Sequence, residues 1–209
     1  MRLRINFAKT DAMRFTSHLD LHKTWERTIR RTGLPLVYSQ GFNPRPKLQL
    51  ASALPLGFTS DSEILDAWFT EINISIDQIL EALHRAAPPG LLINKVTEID
   101  PTSPPLQTQL RSAEYIVTLL ETIPDLEFQL ENLLARETLP RQRRGKTYDL
   151  RPLIISLSGM NADDQGRSRI AMHLSAQEGA TGRPEEVLAA LDISLDTTHI
   201  HRSQLVFAE

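Results

Sequence analysis

The sequence predicts an α+β fold of two halves, each with the element order β-α-β-β-α-β and an antiparallel sheet. Three observations support this. The N-terminal run Arg2–Ala8 alternates polar and apolar residues, the period of a half-buried strand. Helical spacing follows it, and strand and helix signals then recur in a similar order after residue 105. Between the two series stands Asp100-Pro101-Thr102-Ser103-Pro104-Pro105, which has the composition of a linker.

In the first half, Leu3, Ile5 and Phe7 share one strand face. Ser17 opens a helix. Its hydroxyl can cap free backbone N–H groups, and Asp20 stands where a carboxylate favours the positive helix end. Leu21, Trp25 and Ile29 keep helical spacing, and Gly33 is placed to end the helix. Leu36–Ser39 is predicted as a short strand. Gly41-Phe42-Asn43-Pro44-Arg45-Pro46 is predicted as an irregular loop, because each proline biases its predecessor away from helix. Lys47–Leu54 and Glu63–Thr70 are apolar and extended. Asp77–Ala87 is a helix stopped by Pro88-Pro89-Gly90, and Leu91–Ile99 is a strand.

In the second half, Ala113–Leu120 is a strand and Asp125–Ala135 a helix. Glu137–Arg141 and Leu153–Ser158 are strands on either side of a basic turn, and Arg169–Ser175 is a further strand. Pro184–Leu191 is a helix with proline in its first turn. Thr197–Phe207 closes the chain as a strand. This order is the split βαβ of a ferredoxin-like fold, so the expected architecture is two tandem ferredoxin-like halves, residues 1–100 and 106–209.

The chain has 209 residues, 41% of them hydrophobic and 23% charged, an ordinary globular composition. There is no Cys, which excludes disulfides, thiolate nucleophiles and an iron–sulfur cluster held by this chain's own cysteines. No apolar run approaches the roughly 20 residues of a membrane span. The N-terminus lacks the apolar core of a signal peptide. The expected location is the cytoplasm, with no membrane partner.

The net charge of -3 hides an asymmetry. Residues 1–50 hold ten Lys/Arg against three Asp/Glu, a local balance of +7. Residues 51–105 hold two against eight, and the remainder eleven against fifteen. Such segregation suggests a polyanion site or a docking face. The plain alternative is a solvated surface whose cations pair with the acidic middle.

Within the basic segment, Lys23, Arg27, Arg30 and Arg31 fall on one helical face, opposite Leu21 and Trp25. Such a stripe can follow phosphates; it can equally be an ordinary solvated face, with Glu26 paired to Arg30. The loop adds Asn43, Arg45 and Lys47 beside Tyr38 and Phe42. Cations interleaved with aromatics suit single-stranded RNA, where bases stack and phosphates pair. Phe42 could instead belong to the core. A second cluster, Arg141-Gln142-Arg143-Arg144-Gly145-Lys146, has the form of a basic hairpin tip, with Tyr148 following.

His18 and His22 are four apart on one helix face, and His199 and His201 point one way on a strand. With Asp20 they would form a metal site only if the two elements met. No Glu accompanies the helical pair in the HExxH manner, so no metal and no cofactor are expected. No GxxxxGK[ST] or GxGxxG occurs, and Ser17 beside His18 does not make a triad. No catalytic residue is assigned. The candidate residues for nucleic-acid or partner binding are Arg14, His18, Lys23, Arg27, Arg30, Arg31, Tyr38, Phe42, Asn43, Arg45, Lys47, Arg141, Arg143, Arg144 and Lys146.

Three stretches carry a family resemblance: Arg14-Phe15-Thr16-Ser17-His18-Leu19-Asp20-Leu21, then Gly33 through Lys47, then Ala53-Leu54-Pro55-Leu56-Gly57. With them the chain resembles the radical-SAM-linked family, a domain of unknown function found beside or fused behind radical S-adenosylmethionine proteins. The resemblance implies a radical-SAM protein as partner, with the radical chemistry in that partner. It implies no catalytic residues here.

Three functions are compatible with these observations, in this order. The first is a non-catalytic accessory of a radical-SAM enzyme that binds RNA or presents substrate. The second is a protein–protein docking module without nucleic-acid binding. The third is a metal-independent ribonuclease using His18, since histidine titrates near neutrality.

Overall fold

The computed structural model describes residues 1–71, 73–143 and 145–208. The chain divides into two compact units, Met1–Gln109 and Leu110–Glu209. Both mix helices with antiparallel strands, the α+β class expected.

The first unit contains β1 (Arg2–Lys9), α1 (His18–Thr32), β2 (Leu48–Leu50), β3 (Thr59–Trp68), α2 (Ile76–Ala86), β4 (Leu91–Ile99) and the single turn α3 (Leu106–Gln109). Its strands lie in the order β4–β1–β3–β2, each pair antiparallel. The period-2 pattern of β1 places Leu3, Ile5 and Phe7 wholly inside. The register sets Leu3 against Ala67 and Ile5 against Leu65 on β3, so cross-strand pairs build one apolar face.

Helix α1 covers that face with Leu21, Trp25 and Ile29. Trp25 meets Phe7 edge to face, with ring centroids 4.9 Å apart. The helix starts where Ser17 Oγ accepts from the Asp20 amide at 3.2 Å. It ends at Gly33, whose φ of 74° is left-handed and favours glycine. Ser75 and Gln78 form a reciprocal capping box on α2.

The hydrogen bond from Ser17, then the charges of Lys23 and Arg27, hold the Asp20 carboxyl below its usual pKa. A carboxyl with a lower pKa folded than unfolded stabilises the fold above the usual carboxylate range, and the contribution is lost as pH falls through the folded value. Helical circular dichroism should therefore show acid fraying of the first turn of α1 in the native chain. Asp20→Asn should remove that component, and an unchanged acid limb would refute it.

Two stretches differ from expectation in the first unit. Leu36–Ser39 makes only isolated bridges, Leu36 to Phe69 and Tyr38 to Pro46. Pro35, Pro44 and Pro46 withhold the amide donors that a continuous ladder requires. The proline-rich stretch after β4 is fastened to the unit. Arg2 Nη1 donates to Ser103 O at 2.5 Å and Nη2 to Pro104 O at 3.2 Å.

The second unit contains β5 (Leu110–Leu119), α4 (Leu126–Ala135), β6 (Pro140–Arg143), β7 (Lys146–Asp149), β8 (Ile154–Met160), β9 (Arg169–Gln177), the short β10 (Ala180–Thr181), α5 (Pro184–Ala190) and β11 (Thr198–Phe207). β5 lies between β11 and β9, and both β8 and β10 pair with β9. Val117, Leu119, Ile170, Met172 and Leu174 are buried by the alternation of β5 and β9. The predicted strand Glu137–Arg141 lies further along the chain, as β6. It pairs with β7 in a separate two-stranded sheet. Among the described residues, no helix is long and apolar enough to cross a membrane.

Candidate nucleic-acid interface

The basic first fifth divides into an internal and an external set. Four of its ten cations are used inside the unit. Asp66, with no exposed surface, receives Arg2 at 2.6 Å and Arg4 at 2.9 Å. Lys9, equally buried, donates through Nζ to Arg14 O, Thr16 O and Phe58 O at 2.9–3.2 Å. Arg14 is half-buried, and its Nε donates to Gly57 O at 2.9 Å. Lys9 and Arg14 together hold the segment before α1 to the turn at residues 55–58. These anchors explain why the two strongly patterned stretches, 14–21 and 53–57, come together.

The external set is the face of α1 and the loop that follows it. Lys23, Arg27, Arg30 and Arg31 are all exposed. Lys23 stands 3.6 Å from Asp20, a surface pair of small value. Glu26 faces His22 at 3.4 Å, rather than Arg30. Among the described residues, Arg27, Arg30 and Arg31 have no ion pair. Arg31 also lines a groove of about 510 Å³ with Arg85, at the C-terminal ends of α1 and α2.

The loop is held by Ser39 N to Arg45 O and Lys47 N to Val37 O, both 2.8 Å. At its tip Phe42 is fully exposed, so it is not a core residue. Tyr38, Asn43 and Arg45 are exposed beside it. Lys47 Nζ lies 4.6 Å from the centroid of the half-buried Trp68 ring, which also carries the Arg2 guanidinium at 4.7 Å. Exposed apolar side chains also border the start of α1: Phe15, Leu19 and Leu56.

The second cluster forms the β6–β7 hairpin, with Arg141 opposite Tyr148 and Arg143 opposite Lys146. Arg144 lies outside the described residues. Arg143 and Lys146 line a cleft of about 540 Å³ together with Tyr148 and Arg183. Arg183 carries no sequence signal, since it stands alone and far along the chain. The same is true of Lys9 and Asp66, whose roles depend entirely on strand pairing.

The histidines do not assemble a metal site. Among the described residues no group of three His, Asp or Glu side chains is placed to hold an ion. His18 is half-buried in the first turn of α1, and His199 and His201 are half-buried on β11. His173 Nε2 lies 2.7 Å from Ser112 Oγ, but Ser112 is buried within the sheet, out of reach of a substrate.

A family model described as an uncharacterized protein conserved in bacteria, DUF2344, matches residues 2–184. The chain belongs to the DUF2344 family. No curated protein matches it. Among solved structures, it is similar to a chain of a Cbf5–Nop10–Gar1 complex, with 9% identity and a TM-score of 0.51, covering 97% of this chain and 48% of that one. It is also similar to a chain of the archaeal box H/ACA sRNP Nop10–Cbf5 complex, with 10% identity and a TM-score of 0.46, covering 96% and 46%. The DUF2344 chain thus spans about half the length of these chains, and the first likeness, at 9% identity, is one of fold alone.

Proposed function

We propose that this DUF2344 protein is a non-catalytic accessory of a radical-SAM enzyme, and that it binds RNA through α1 and the loop at residues 39–47. The observation that carries the reading is Phe42. A phenylalanine wholly in water gives up the stabilisation that burial supplies, and this one stands on a proline-stiffened loop that also exposes Arg45. That combination suits a base stacked on the ring with phosphates on Arg45 and the α1 cations. The radical-SAM partner rests on the resemblance of residues 14–57, and the cytoplasmic setting on the cysteine-free composition. The strand orders of the two units support tandem ferredoxin-like halves, with β6, β7 and β10 added to the second.

The test is titration of labelled single-stranded RNA at several salt concentrations. The log–log slope should be about −0.7 per phosphate contact. Phe42→Ala should weaken binding by roughly 1–3 kcal/mol, and Arg27→Glu with Arg30→Glu should flatten the slope. Absence of binding at low salt, or binding indifferent to salt, would refute the reading.

The exposed Phe15, Leu19 and Leu56 favour a second reading, a docking module for the radical-SAM protein. In that case Leu19→Asp would abolish co-purification with that protein while RNA affinity stayed absent or unchanged.

A further inference from the structure

The β6–β7 hairpin and its surroundings form a concavity in the second unit. The cleft holds about 540 Å³, within the usual size range of small-molecule sites. Its walls carry three cations, Arg143, Lys146 and Arg183. None of the three has an ion-pair partner among the described residues. The acid in the wall, Asp149, is engaged elsewhere: its Oδ1 accepts from the amides of Leu139 at 2.7 Å and Arg151 at 3.0 Å. Glu186 also acts electrostatically on Tyr148. Counted against both acids, the cleft still carries an excess of positive charge.

The rest of the wall is mainly apolar, with Thr181 as a polar member. Leu153, Ala180 and the ring of Tyr148 line it. Tyr148 faces Arg141 across the hairpin. The Tyr148 hydroxyl and the Arg141 Nε are both buried, and neither finds a hydrogen-bond partner among the described residues. Buried donors in folded proteins are nearly always satisfied. Two adjacent unsatisfied donors thus stand beside the cationic cleft, the Tyr148 side chain in its wall. Burial, followed by the charge of Glu186, raises the Tyr148 pKa, so its hydroxyl keeps its proton and remains a donor at neutral pH.

We propose that this cleft binds a phosphate monoester carried on a nucleoside, either a free nucleotide or the end of an RNA chain. The guanidinium groups of Arg143 and Arg183 and the ammonium of Lys146 receive the phosphate oxygens. The Tyr148 ring and Leu153 cover the flat base. Only the RNA-end source rests on the RNA reading of the loop; a free nucleotide would bind whether or not RNA meets α1.

The test is calorimetric titration of the full chain with adenosine monophosphate, adenosine and inorganic phosphate. Charge-assisted hydrogen bonds should make the monophosphate bind at least about tenfold more tightly than adenosine. Arg143→Gln and Arg183→Gln should each remove most of that advantage, whereas Arg136→Gln, an exposed arginine outside the cleft, should not. Tyr148→Phe keeps the ring and guards against misfolding. It should weaken the monophosphate several-fold while leaving the melting temperature unchanged or higher, because an unsatisfied buried hydroxyl is lost.

Equal binding of adenosine and its monophosphate, no binding of either, or native affinity in Arg143→Gln/Arg183→Gln would overturn the proposal. RNA oligomers with phosphate or hydroxyl ends separate the two sources. A preference for phosphate ends that disappears in Arg183→Gln assigns the RNA end, and no preference alongside monophosphate binding assigns the free nucleotide. Salt-dependent binding of hydroxyl-ended RNA without monophosphate binding would sink the cleft and spare the loop reading. The reverse result would sink the loop reading alone.

Discussion

Asp66→Ala should destabilise the first unit by about 3–5 kcal/mol, the usual cost of removing one partner from a buried ion pair. Asp66 is completely enclosed and accepts from both Arg2 and Arg4. Its loss leaves the Arg2 guanidinium, itself 2% exposed, without its carboxylate in the interior. Arg2 also ties down the stretch after β4 through Ser103 O and Pro104 O, so that stretch should loosen in the same variant. Urea unfolding measures the change as a lower midpoint. Arg4→Ala supplies the internal comparison: Arg4 is 23% exposed and can rehydrate, so its removal should cost clearly less. Equal effects at the two positions, or a shift below about 1 kcal/mol for Asp66→Ala, would show that the triad is not the anchor described.

Lys9→Met should cost on the order of 3 kcal/mol, because three carbonyls lose a charged donor in a site closed to water. The methionine fills similar volume, so packing changes little and the loss is mainly polar. The three carbonyls belong to Arg14, Thr16 and Phe58. Their release should free the segment that leads into α1 and the turn that faces it. Amide exchange reports this directly. The amides of Thr16 and Gly57, now bonded to Met13 O and Arg14 O, should exchange faster in the variant. Native protection at both, with an unchanged melting temperature, would rule out the pinning role.

These two residues show where sequence reasoning reached its limit. The charge count of residues 1–50 is additive and local, so it credits Arg2, Arg4, Lys9 and Arg14 to a binding surface. Burial is neither additive nor local. It depends on β1 lying between β3 and β4, which the spacing of residues 1–50 does not contain. The cationic face that remains is smaller than the count suggests and is confined to α1 and its loop.

Local physics was legible wherever it was self-contained. Leu91–Ile99 follows directly on the Pro88-Pro89-Gly90 stop, and the strand has those bounds. Ser17 and Gly33 mark α1 because capping needs only a hydroxyl at one end and a left-handed residue at the other. Leu36–Ser39 looked like a strand by composition, but nearby prolines withhold the donors that pairing needs. Phe42 could have been core or surface, since one aromatic in an irregular loop has no period to assign its direction.

From the sequence alone came the α+β class, the helix ends, the alternating strands and the two places where cations cluster. Those properties arise from interactions within a few residues of one another. Only the tertiary structure decided that Asp66 neutralises Arg2 and Arg4, that Phe42 stands in water, and that Arg183 joins Arg143 and Lys146 around one cleft. The first and last depend on segments tens of residues apart meeting in space, which no local pattern encodes, and the second on a loop aromatic whose direction no period assigns.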